Sequence, residues 1–524
     1  MKRPTTRLRK DKLKRITGYP DSWWVTLNSS TQDASSYGLF AKNVSLIAIA
    51  NGMLSLRGLF FIPIISKELG AGAYGIWAQV ILFVSISSSI STLGLANAIS
   101  RFLAGKDNKD ELREGFYSSL TISILIAILS IIVTRLGLWL FKSSISSWSG
   151  LQVVDIGLWL IPFAAVDLVY FSYMTARRRM KAFAILSVMK AYGEVTLVYI
   201  FVSQGYELVG AIQGTLLAHI LVTAVLIAIV ALDIGFKIPK FGGTRRYLNY
   251  SIPTIATVLS GWVLAFSDRY VIGLYLGDIQ TGIYSAAFSI GHAINFLLPP
   301  LTIVLNPTIF RLWEQGKKKR AVSFQRMSLK FLIFLSVPAA FGITFLAKPT
   351  LLLLSTPEMA EGGAPIVPFV ALSMVFYGIS MIISRVYPLH HDTKTSGTIW
   401  TLAAIFNVIT NFLLIPVIGI VGAAITTLVS RIFAFILILG IGRKYMPHLS
   451  LPPIWFTAKS VAASGIMLLV LYLVRPFVDF GPLFMILSLV PLGIGIYIAL
   501  MWVFRCFREN ELDFIKQLIR GGVS

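Results

Sequence analysis

The chain has 524 residues, of which 56% are hydrophobic and only 13% are charged, and its mean hydropathy is +0.78. Roughly a quarter of the residues of a soluble protein are charged, so this composition excludes a set of soluble domains and predicts a chain solvated largely by lipid. The net charge of +23 would also suit a nucleic-acid-binding protein. The Lys and Arg residues, however, recur in clusters between apolar segments, which is typical of cytoplasmic loops.

Fourteen apolar segments are long enough to cross a bilayer core of about 30 Å, which takes about 20 helical residues. In chain order they are 44–66, 74–99, 116–141, 151–174, 183–203, 208–232, 250–276, 283–309, 328–354, 364–386, 398–416, 420–441, 455–474 and 483–504. The sequence therefore predicts an all-α polytopic membrane protein with about fourteen transmembrane helices. Twelve is the alternative count.

The basic residues predict the orientation of these helices. With the amino terminus inside, the cytoplasmic side receives a basic tail (1–43), a linker (233–249), a carboxy-terminal tail (505–524) and clusters such as Arg177–Arg178–Arg179 and Lys317–Lys318–Lys319–Arg320. The opposite side receives only a few basic residues and short loops. Because Lys and Arg concentrate in cytoplasmic loops, both termini are predicted to be cytoplasmic.

The chain also contains an internal repeat. Leu69-Gly70 is matched by Leu276-Gly277 at an offset of 207 residues, and the run Val209-Gly210-Ala211 is matched 212 residues later. Six helices separate the copies, so both enter the membrane from the same side, as in parallel transporter repeats. The pattern predicts two parallel six-helix bundles, 44–232 and 250–441, followed by an extra helix pair, 455–504.

Several ionisable residues fall inside predicted membrane helices, where a charge costs at least about 2.5–3.5 kcal/mol. We expect these side chains to face a water-filled cavity or one another. They are Arg57, Asp167, Lys190, Glu194, Asp268, Arg269, His292 and Arg431.

Structural interpretations compete with functional ones for some of these residues. Lys190 and Glu194 are four residues apart on one helix face, and they either neutralise each other or take part in transport. Asp268 and Arg269 are adjacent, so they are expected to point in different directions without pairing. His292 is interpreted as a packing residue rather than a proton relay. Arg57 has no acid within a turn of its own helix and is expected to face a substrate cavity.

The sign of the buried charges favours an anionic ligand. Four cations stand against three anions in this set, and His292 can add a further positive charge. A cavity for cationic drugs would need an acidic lining. A diphosphate or an acidic sugar fits a guanidinium-lined cavity, because Arg binds phosphate through a bidentate fork.

Four motifs in the right order resemble those of a known transporter family. They are Ile65-Ser66-Lys67-Glu68-Leu69-Gly70 before Tyr74-Gly75, Leu93-Gly94-Leu95-Ala96 before Arg101, Asp268-Arg269-Tyr270-Val271-Ile272 before Leu276-Gly277, and Asn407 and Asn411 before Ile415-Pro416. The chain from 44 to 444 thereby resembles the O-antigen and exopolysaccharide flippases of the multidrug/oligosaccharidyl-lipid/polysaccharide exporter superfamily. Asn407 and Asn411 join the cavity candidates on this basis.

The resemblance implies two bundles around a central cationic cavity that works by alternating access. The implied substrate is a polyprenyl-diphosphate-linked oligosaccharide, flipped from the cytoplasmic to the outer leaflet of the plasma (inner) membrane for surface polysaccharide synthesis. A glycan polymerase and glycosyltransferases of the same pathway are the implied partners. No cofactor or metal is expected, and the coupling ion, H⁺ or Na⁺, is left open.

Three alternatives remain at this stage. A multidrug or cation antiporter and a peptidoglycan lipid-precursor flippase share the superfamily and the helix number. A membrane enzyme would need acid and base groups at a membrane face, and the closest match is His390-His391-Asp392. No further ligands lie nearby in the sequence, so we expect a solvated loop there and no enzymatic activity.

Overall fold

The computed structural model describes residues 32–140, 150–445, 454–478 and 480–506. Packing contacts set Ala48–Arg508 apart as one compact unit. The predicted tails lie mostly outside the described residues, the first up to residue 31 and the second from residue 507 onward. All regular structure in the described ranges is helical, without a strand, which confirms the predicted all-α class.

Eighteen α-helices occur in the described part of the chain. They are α1 (Gln32–Ser91), α2 (Leu95–Phe102), α3 (Lys109–Leu140), α4 (Leu151–Gly157), α5 (Leu160–Ala176), α6 (Met180–Ser203), α7 (Glu207–Ile234), α8 (Thr244–His292), α9 (Leu298–Glu314), α10 (Lys318–Phe345), α11 (Ala347–Leu354), α12 (Pro357–Gly363), α13 (Val367–Ile383), α14 (Val386–Leu389), α15 (Thr393–Ile418), α16 (Ile420–Gly442), α17 (Ile454–Val474) and α18 (Pro482–Val503).

Among these residues, twelve helical stretches are long and apolar enough to cross a membrane, so the protein is multi-pass. Two of them, Ala50–Ser91 and Val258–Glu314, contain 42 and 57 residues. At about 1.5 Å per residue, each exceeds the length of one crossing of a 30 Å core roughly twofold or more. Fourteen crossings would require both stretches to divide, and that count stays a prediction.

Both long stretches bend at a glycine in a conformation that other residues avoid. Gly70 in α1 has φ 87° and ψ 174°, and Gly277 in α8 has φ 82° and ψ −179°. Only glycine adopts such backbone angles without strain, because it lacks a Cβ atom. These are the two glycines of the repeated Leu-Gly motif, so the repeat in the sequence marks the same bend in both halves of the chain.

Local signals explain where other helices start and stop. The side chain of Asp392 caps α15 by accepting a hydrogen bond from the backbone N–H of Thr395 at 3.2 Å. Thr356 caps α12 in the same way. At the opposite end of α15, Gly419 leaves the helix with φ 72°, which a glycine tolerates.

The largest buried apolar cluster joins the two halves of the chain. It includes Phe61 and Trp77 of α1, whose rings lie 4.8 Å apart, together with Ile272 and Tyr284 of α8. Apolar side chains of both helices are therefore buried against one another in one shared core. This core holds the two glycine bends next to each other.

Within this core, α1 and α8 approach each other through glycines, in a contact that we call the outer seam. A Cβ atom on Gly75 would overlap the carbonyl oxygen of Asp278, and one on Gly282 would overlap the carbonyl oxygen of Ala71. The contact is reciprocal, since each half supplies one glycine and one carbonyl. Gln79 adds a hydrogen bond from Nε2 to Oδ1 of Asp278 at 3.3 Å. The seam lies at the predicted outer side.

Candidate functional site

The candidate residues of the first half form an ionic network across three helices, beginning with Arg57 on α1. Its Nη1 atom donates to Oε2 of Glu194 on α6 at 2.8 Å. The two side chains differ in exposure, with 36% for Arg57 and 4% for Glu194. The acid that Arg57 lacks within a turn of its own helix is thus supplied by a neighbouring helix, and a buried carboxylate is neutralised by a half-buried cation.

Asp167 on α5 is the second anion of this network and has three close partners. Nζ of Lys190 lies 2.6 Å from its Oδ2 atom, and Thr223 Oγ1 donates to Oδ1 at 2.9 Å. Nδ1 of His219 lies 2.9 Å from Oδ2, although not in hydrogen-bonding geometry. The two buried carboxylates of the first half therefore each have a cation. We call Arg57, Asp167, Lys190, Glu194, His219 and Thr223 the amino-half cluster.

Of the two interpretations left open for Lys190 and Glu194, mutual neutralisation is not the arrangement that the structure shows. Although the two residues lie one turn apart on α6, Lys190 pairs with Asp167 and Glu194 pairs with Arg57. Spacing along one helix gives pairs worth only about 0.2–0.5 kcal/mol. Here the neighbouring helices bring oppositely charged groups into less exposed surroundings, where an ion pair is screened less. These interhelical contacts therefore determine which residues pair.

The expectation that Asp268 and Arg269 cannot pair is wrong. Nη1 of Arg269 lies 3.2 Å from Oδ1 of Asp268 and also donates to the carbonyl oxygen of Ala265 at 3.1 Å. The long arginine side chain folds back along its own helix, which the directions of the two Cβ atoms do not reveal. Tyr284 and Thr427 donate to Oδ2 of the same carboxylate.

Arg269 is further enclosed by aromatic rings. Its guanidinium carbon lies 4.3 Å from the ring centroid of Phe288 and 5.3 Å from that of Phe266, distances at which cation–π attraction is favourable. His292 stacks on the same Phe288 ring, with centroids 5.5 Å apart. This stacking agrees with the interpretation of His292 as a packing residue.

Arg431 on α16 differs from the other candidate cations because it has no acidic partner in the described residues. Only 6% of its surface is exposed. Its guanidinium carbon lies 4.3 Å from the ring centroid of Tyr377 on α13, and its Nε atom has no hydrogen-bond partner among the described residues. A buried guanidinium without a carboxylate or a full set of acceptors is a site that an anion can fill.

Asn407 and Asn411 are buried and join helices. Oδ1 of Asn407 accepts from Ser267 Oγ at 3.0 Å, and its Nδ2 donates to Ser430 Oγ at 3.2 Å. Asn411 donates to Oδ1 of Asn407 at 3.2 Å and accepts from Thr426. The two amides thus connect α15 to α8 and α16. The six candidates of the second half, together with the side chains named above as their contacts, are called the carboxy-half cluster. The six are Asp268, Arg269, His292, Asn407, Asn411 and Arg431.

The ten predicted residues therefore fall into two groups, four in the first half and six in the second. Sequence reasoning missed His219, Thr223, Tyr284 and Thr427. A signal existed for the first two, since His219 and Thr223 lie one turn apart in the mostly apolar α7 and therefore share a face of that helix. The tyrosine and threonine beside Asp268 gave no such signal, because Tyr284 lies beyond the bend of α8 at Gly277 and Thr427 lies on α16.

A cavity of ≈ 560 Å³ lies beside the outer seam and does not contain the candidate residues. Its lining includes Gly72, Gln152, Glu207 and Asp278. The charged groups of this lining are carboxylates, whereas the sequence predicts a cationic cavity. None of the ten candidates lines it.

At the predicted cytoplasmic side, the structure gives Asp392 a structural environment. Besides capping α15, its carboxylate accepts from Nζ of Lys444 at 2.9 Å and from the hydroxyl of Tyr445. The hydrogen bonds from Tyr445 and Lys444 hold the pKa of Asp392 well below its usual range. These contacts account for the carboxylate without a metal or a catalytic role.

Comparisons with known protein families place two models on this chain. The model for the polysaccharide biosynthesis protein family matches residues 40–313, and the model for the lipid II flippase MurJ matches residues 295–491.

Two relatives and one solved structure are similar over most of the chain. The probable flippase AglR of Haloferax volcanii is 24% identical, over 89% of this chain and 97% of its own. The probable low-salt glycan biosynthesis flippase Agl15 of the same organism is 22% identical, over 76% and 80%. The lipid II flippase MurJ in an inward closed conformation matches with a TM-score of 0.66 at 19% identity, over 89% of this chain and 98% of that chain.

Proposed function

We propose that this chain, which belongs to the polysaccharide biosynthesis protein family and is a flippase of the multidrug/oligosaccharidyl-lipid/polysaccharide exporter superfamily, flips a polyprenyl-diphosphate-linked oligosaccharide. The substrate moves from the cytoplasmic to the outer leaflet of the plasma membrane. Glycosyltransferases assemble the oligosaccharide at the inner face, and a polymerase consumes it at the outer face. As a transporter, the protein catalyses no covalent reaction.

The observation that carries this proposal is the pair of arginines inside the membrane-spanning region. Arg57 lies in the first half and is 36% exposed, and Arg431 lies in the second half without an acidic partner among the described residues. A buried cation is costly in a membrane, and Arg431, which has no acidic partner among the described residues, therefore favours an anionic ligand. The diphosphate and acidic sugars of a lipid-linked oligosaccharide supply that charge, whereas a cationic drug would be repelled.

The two glycine bends and the outer seam support alternating access as the mechanism. With the seam closed, the substrate enters between the halves from the cytoplasmic side. Parting of Gly75 from Gly282, accommodated at Gly70 and Gly277, then opens the outer side. The sugars and the diphosphate cross in a wet cavity between the halves while the polyprenyl tail stays in lipid.

The test is complementation of a strain from which the gene has been deleted. We expect the deletion to remove surface glycan and the wild-type gene to restore it, while Arg57→Ala fails at equal protein level. Arg135→Ala is the matched control, because Arg135 is an exposed arginine paired with the exposed Asp155. Normal surface glycan in the deletion strain, with a new drug sensitivity, would instead identify a drug antiporter.

A lipid II flippase is the second candidate, favoured by the MurJ model that matches residues 295–491. Its substrate is also a lipid-linked glycan, so the charge argument does not separate the two. Depletion separates them: cell lysis with intact surface glycan indicates a peptidoglycan precursor, and loss of surface glycan without lysis indicates the oligosaccharide that we propose.

A further inference from the structure

We infer that Glu194 is an exchangeable counter-ion for Arg57, which it binds in the unloaded transporter and releases when the substrate diphosphate takes its place. The inference rests on the proposed function, since it requires an anionic diphosphate. It assigns Glu194 a part in substrate release and selectivity without direct contact to the substrate.

The first argument is that Arg57 is the accessible member of the pair. Its side chain is 36% exposed, whereas that of Glu194 is 4% exposed. A guanidinium carries five N–H donors, and among the described residues the one hydrogen bond of Arg57 goes from Nη1 to Glu194. A phosphate can therefore engage the remaining donors before the carboxylate leaves. A diphosphate carries more charge than a carboxylate and fits the guanidinium fork.

The second argument is that the displaced carboxylate has another cation within reach. A buried carboxylate without a partner is strongly unfavourable, so Glu194 cannot be left alone when Arg57 turns to the substrate. Lys190 lies one turn earlier on the same helix, and residues four apart on a helix face each other. Lys190 currently binds Asp167 at 2.6 Å, so the exchange requires it to leave this acid.

The third argument is that Asp167 can spare Lys190. Its Oδ1 atom keeps the hydrogen bond from Thr223 at 2.9 Å, and Nδ1 of His219 stays 2.9 Å from its Oδ2 atom, close enough to donate to it once Lys190 has left and the imidazole ring has turned. Glu194 has no comparable second partner among the described residues apart from the lysine. Asp167, the residue that gives up its lysine in the exchange, is thus the one with additional neighbours.

The loaded state then contains the pair of Lys190 with Glu194. This is the pair that four-residue spacing on one helix favours and that the unloaded structure lacks. Substrate binding would switch α6 from two contacts with neighbouring helices to one contact within itself. Binding of an anion at Arg57 would therefore change the contacts of Asp167 on α5 and of its neighbours on α7.

The test measures binding of farnesyl diphosphate to the full-length protein in nanodiscs, with farnesol as the uncharged comparison. We expect Glu194→Gln to bind farnesyl diphosphate roughly five- to tenfold more tightly, because an ion pair of this exposure is worth about 1 kcal/mol or slightly more. Farnesol binding should not change. In flipping assays the same variant should show a lower KM together with a lower kcat, since nothing displaces the diphosphate from Arg57.

Controls separate this role from a structural one. Asp155→Asn removes one exposed negative charge elsewhere and should leave affinity unchanged, and Glu194→Asp should restore a value near that of the wild type. In an Arg57→Ala background, Glu194→Gln should add nothing, as a double-mutant cycle requires.

Equal or weaker binding by Glu194→Gln, or equal tightening by Asp155→Asn, would overturn the inference while the proposed function stands. Failure of both the wild type and Glu194→Gln to bind farnesyl diphosphate would overturn the proposed function and the inference together.

Discussion

The two halves of the molecule carry similar cations in different electrostatic settings. In the amino-half cluster two cations, Arg57 and Lys190, meet two carboxylates, so the described network is balanced. In the carboxy-half cluster Arg269 has Asp268, but Arg431 has no carboxylate among the described residues. The surplus of one positive charge among the candidate residues is therefore located in the second half.

Under the proposed function, this difference predicts two kinds of anion site. An anion that binds Arg57 must compete with the carboxylate of Glu194, which can displace it again. An anion that reaches Arg431 replaces only the face of Tyr377, and it relieves a buried charge. We expect the first half to govern release and the second half to govern retention of the substrate.

The largest effect is expected where the two halves are alike, at the outer seam. Gly75→Ala or Gly282→Ala places a Cβ atom on a backbone carbonyl of the other half, so the seam cannot close. Each variant should reduce transport more than tenfold, and each should raise the reactivity of a cysteine introduced at Gln79 towards an impermeant thiol reagent. Gly72→Ala, near the side chain of Ile279 at ordinary contact distance, is the control. Unequal effects of the two substitutions would show that the two halves do not contribute equally to closure of the seam.

The next effect concerns the balanced half. Arg57→Ala leaves Glu194 buried without its cation and should lower the free energy of unfolding by roughly 2–4 kcal/mol. The double variant Arg57→Ala/Glu194→Gln should recover most of this stability without recovering transport. Thermal unfolding in nanodiscs and a flipping assay measure the two quantities separately. Recovery of transport in the double variant would remove Arg57 from substrate binding.

The unbalanced half should respond in the opposite way. Arg431→Met removes a buried charge that has no acidic partner, so stability should stay unchanged or rise by about 1–2 kcal/mol, while flipping falls about tenfold. The same two measurements apply. A loss of stability as large as that of Arg57→Ala would show that Arg431 is held by contacts equivalent to an ion pair, and the contrast between the halves would disappear.

The smallest effect is expected outside the membrane-spanning segments, at Asp392. Its pKa is lowered by hydrogen bonds from Tyr445 and Lys444, so its contribution to stability is present above the pKa of the unfolded chain, about 4, and is lost as the pH falls further. Asp392→Asn keeps a helix-capping residue for α15 but removes the charge. The variant should be slightly less stable than the wild type at pH 7 and no different at low pH. A pH-independent difference would assign the effect to the cap.

The sequence predicts the helical class well, because that class depends on one-dimensional signals, whereas the roles of the candidate residues stay predictions. Long apolar segments have one solution in lipid, and a charge within such a segment is visible without a structure. The resemblance to flippases is confirmed by family membership. The division into bundles, the orientation and the cavity stay predictions, as does the count of fourteen, which depends on how the bends at Gly70 and Gly277 divide two long helices.

Partner choice inside the helices could not be predicted in the same way. Lys190 and Glu194 share a helix face, yet each binds a residue more than twenty positions away in the chain. Asp268 and Arg269 pair because the arginine folds back along α8. Both outcomes depend on side-chain length and on which helices pack together, and neither quantity is present in the spacing of residues.

The reciprocal glycine contact has a consequence for the speed of the cycle. Where each glycine lacks a Cβ atom, a Cα hydrogen points at a carbonyl of the opposite half, and such Cα–H···O bonds contribute only about 0.5–1 kcal/mol each. At the glycines themselves the seam fits tightly, yet these two contacts add little to the energy needed to part the halves beyond the hydrogen bond from Gln79 and the apolar core around it. The pair of glycines thus allows close packing without adding a strong bond that would have to break when the halves separate, as an ion pair would.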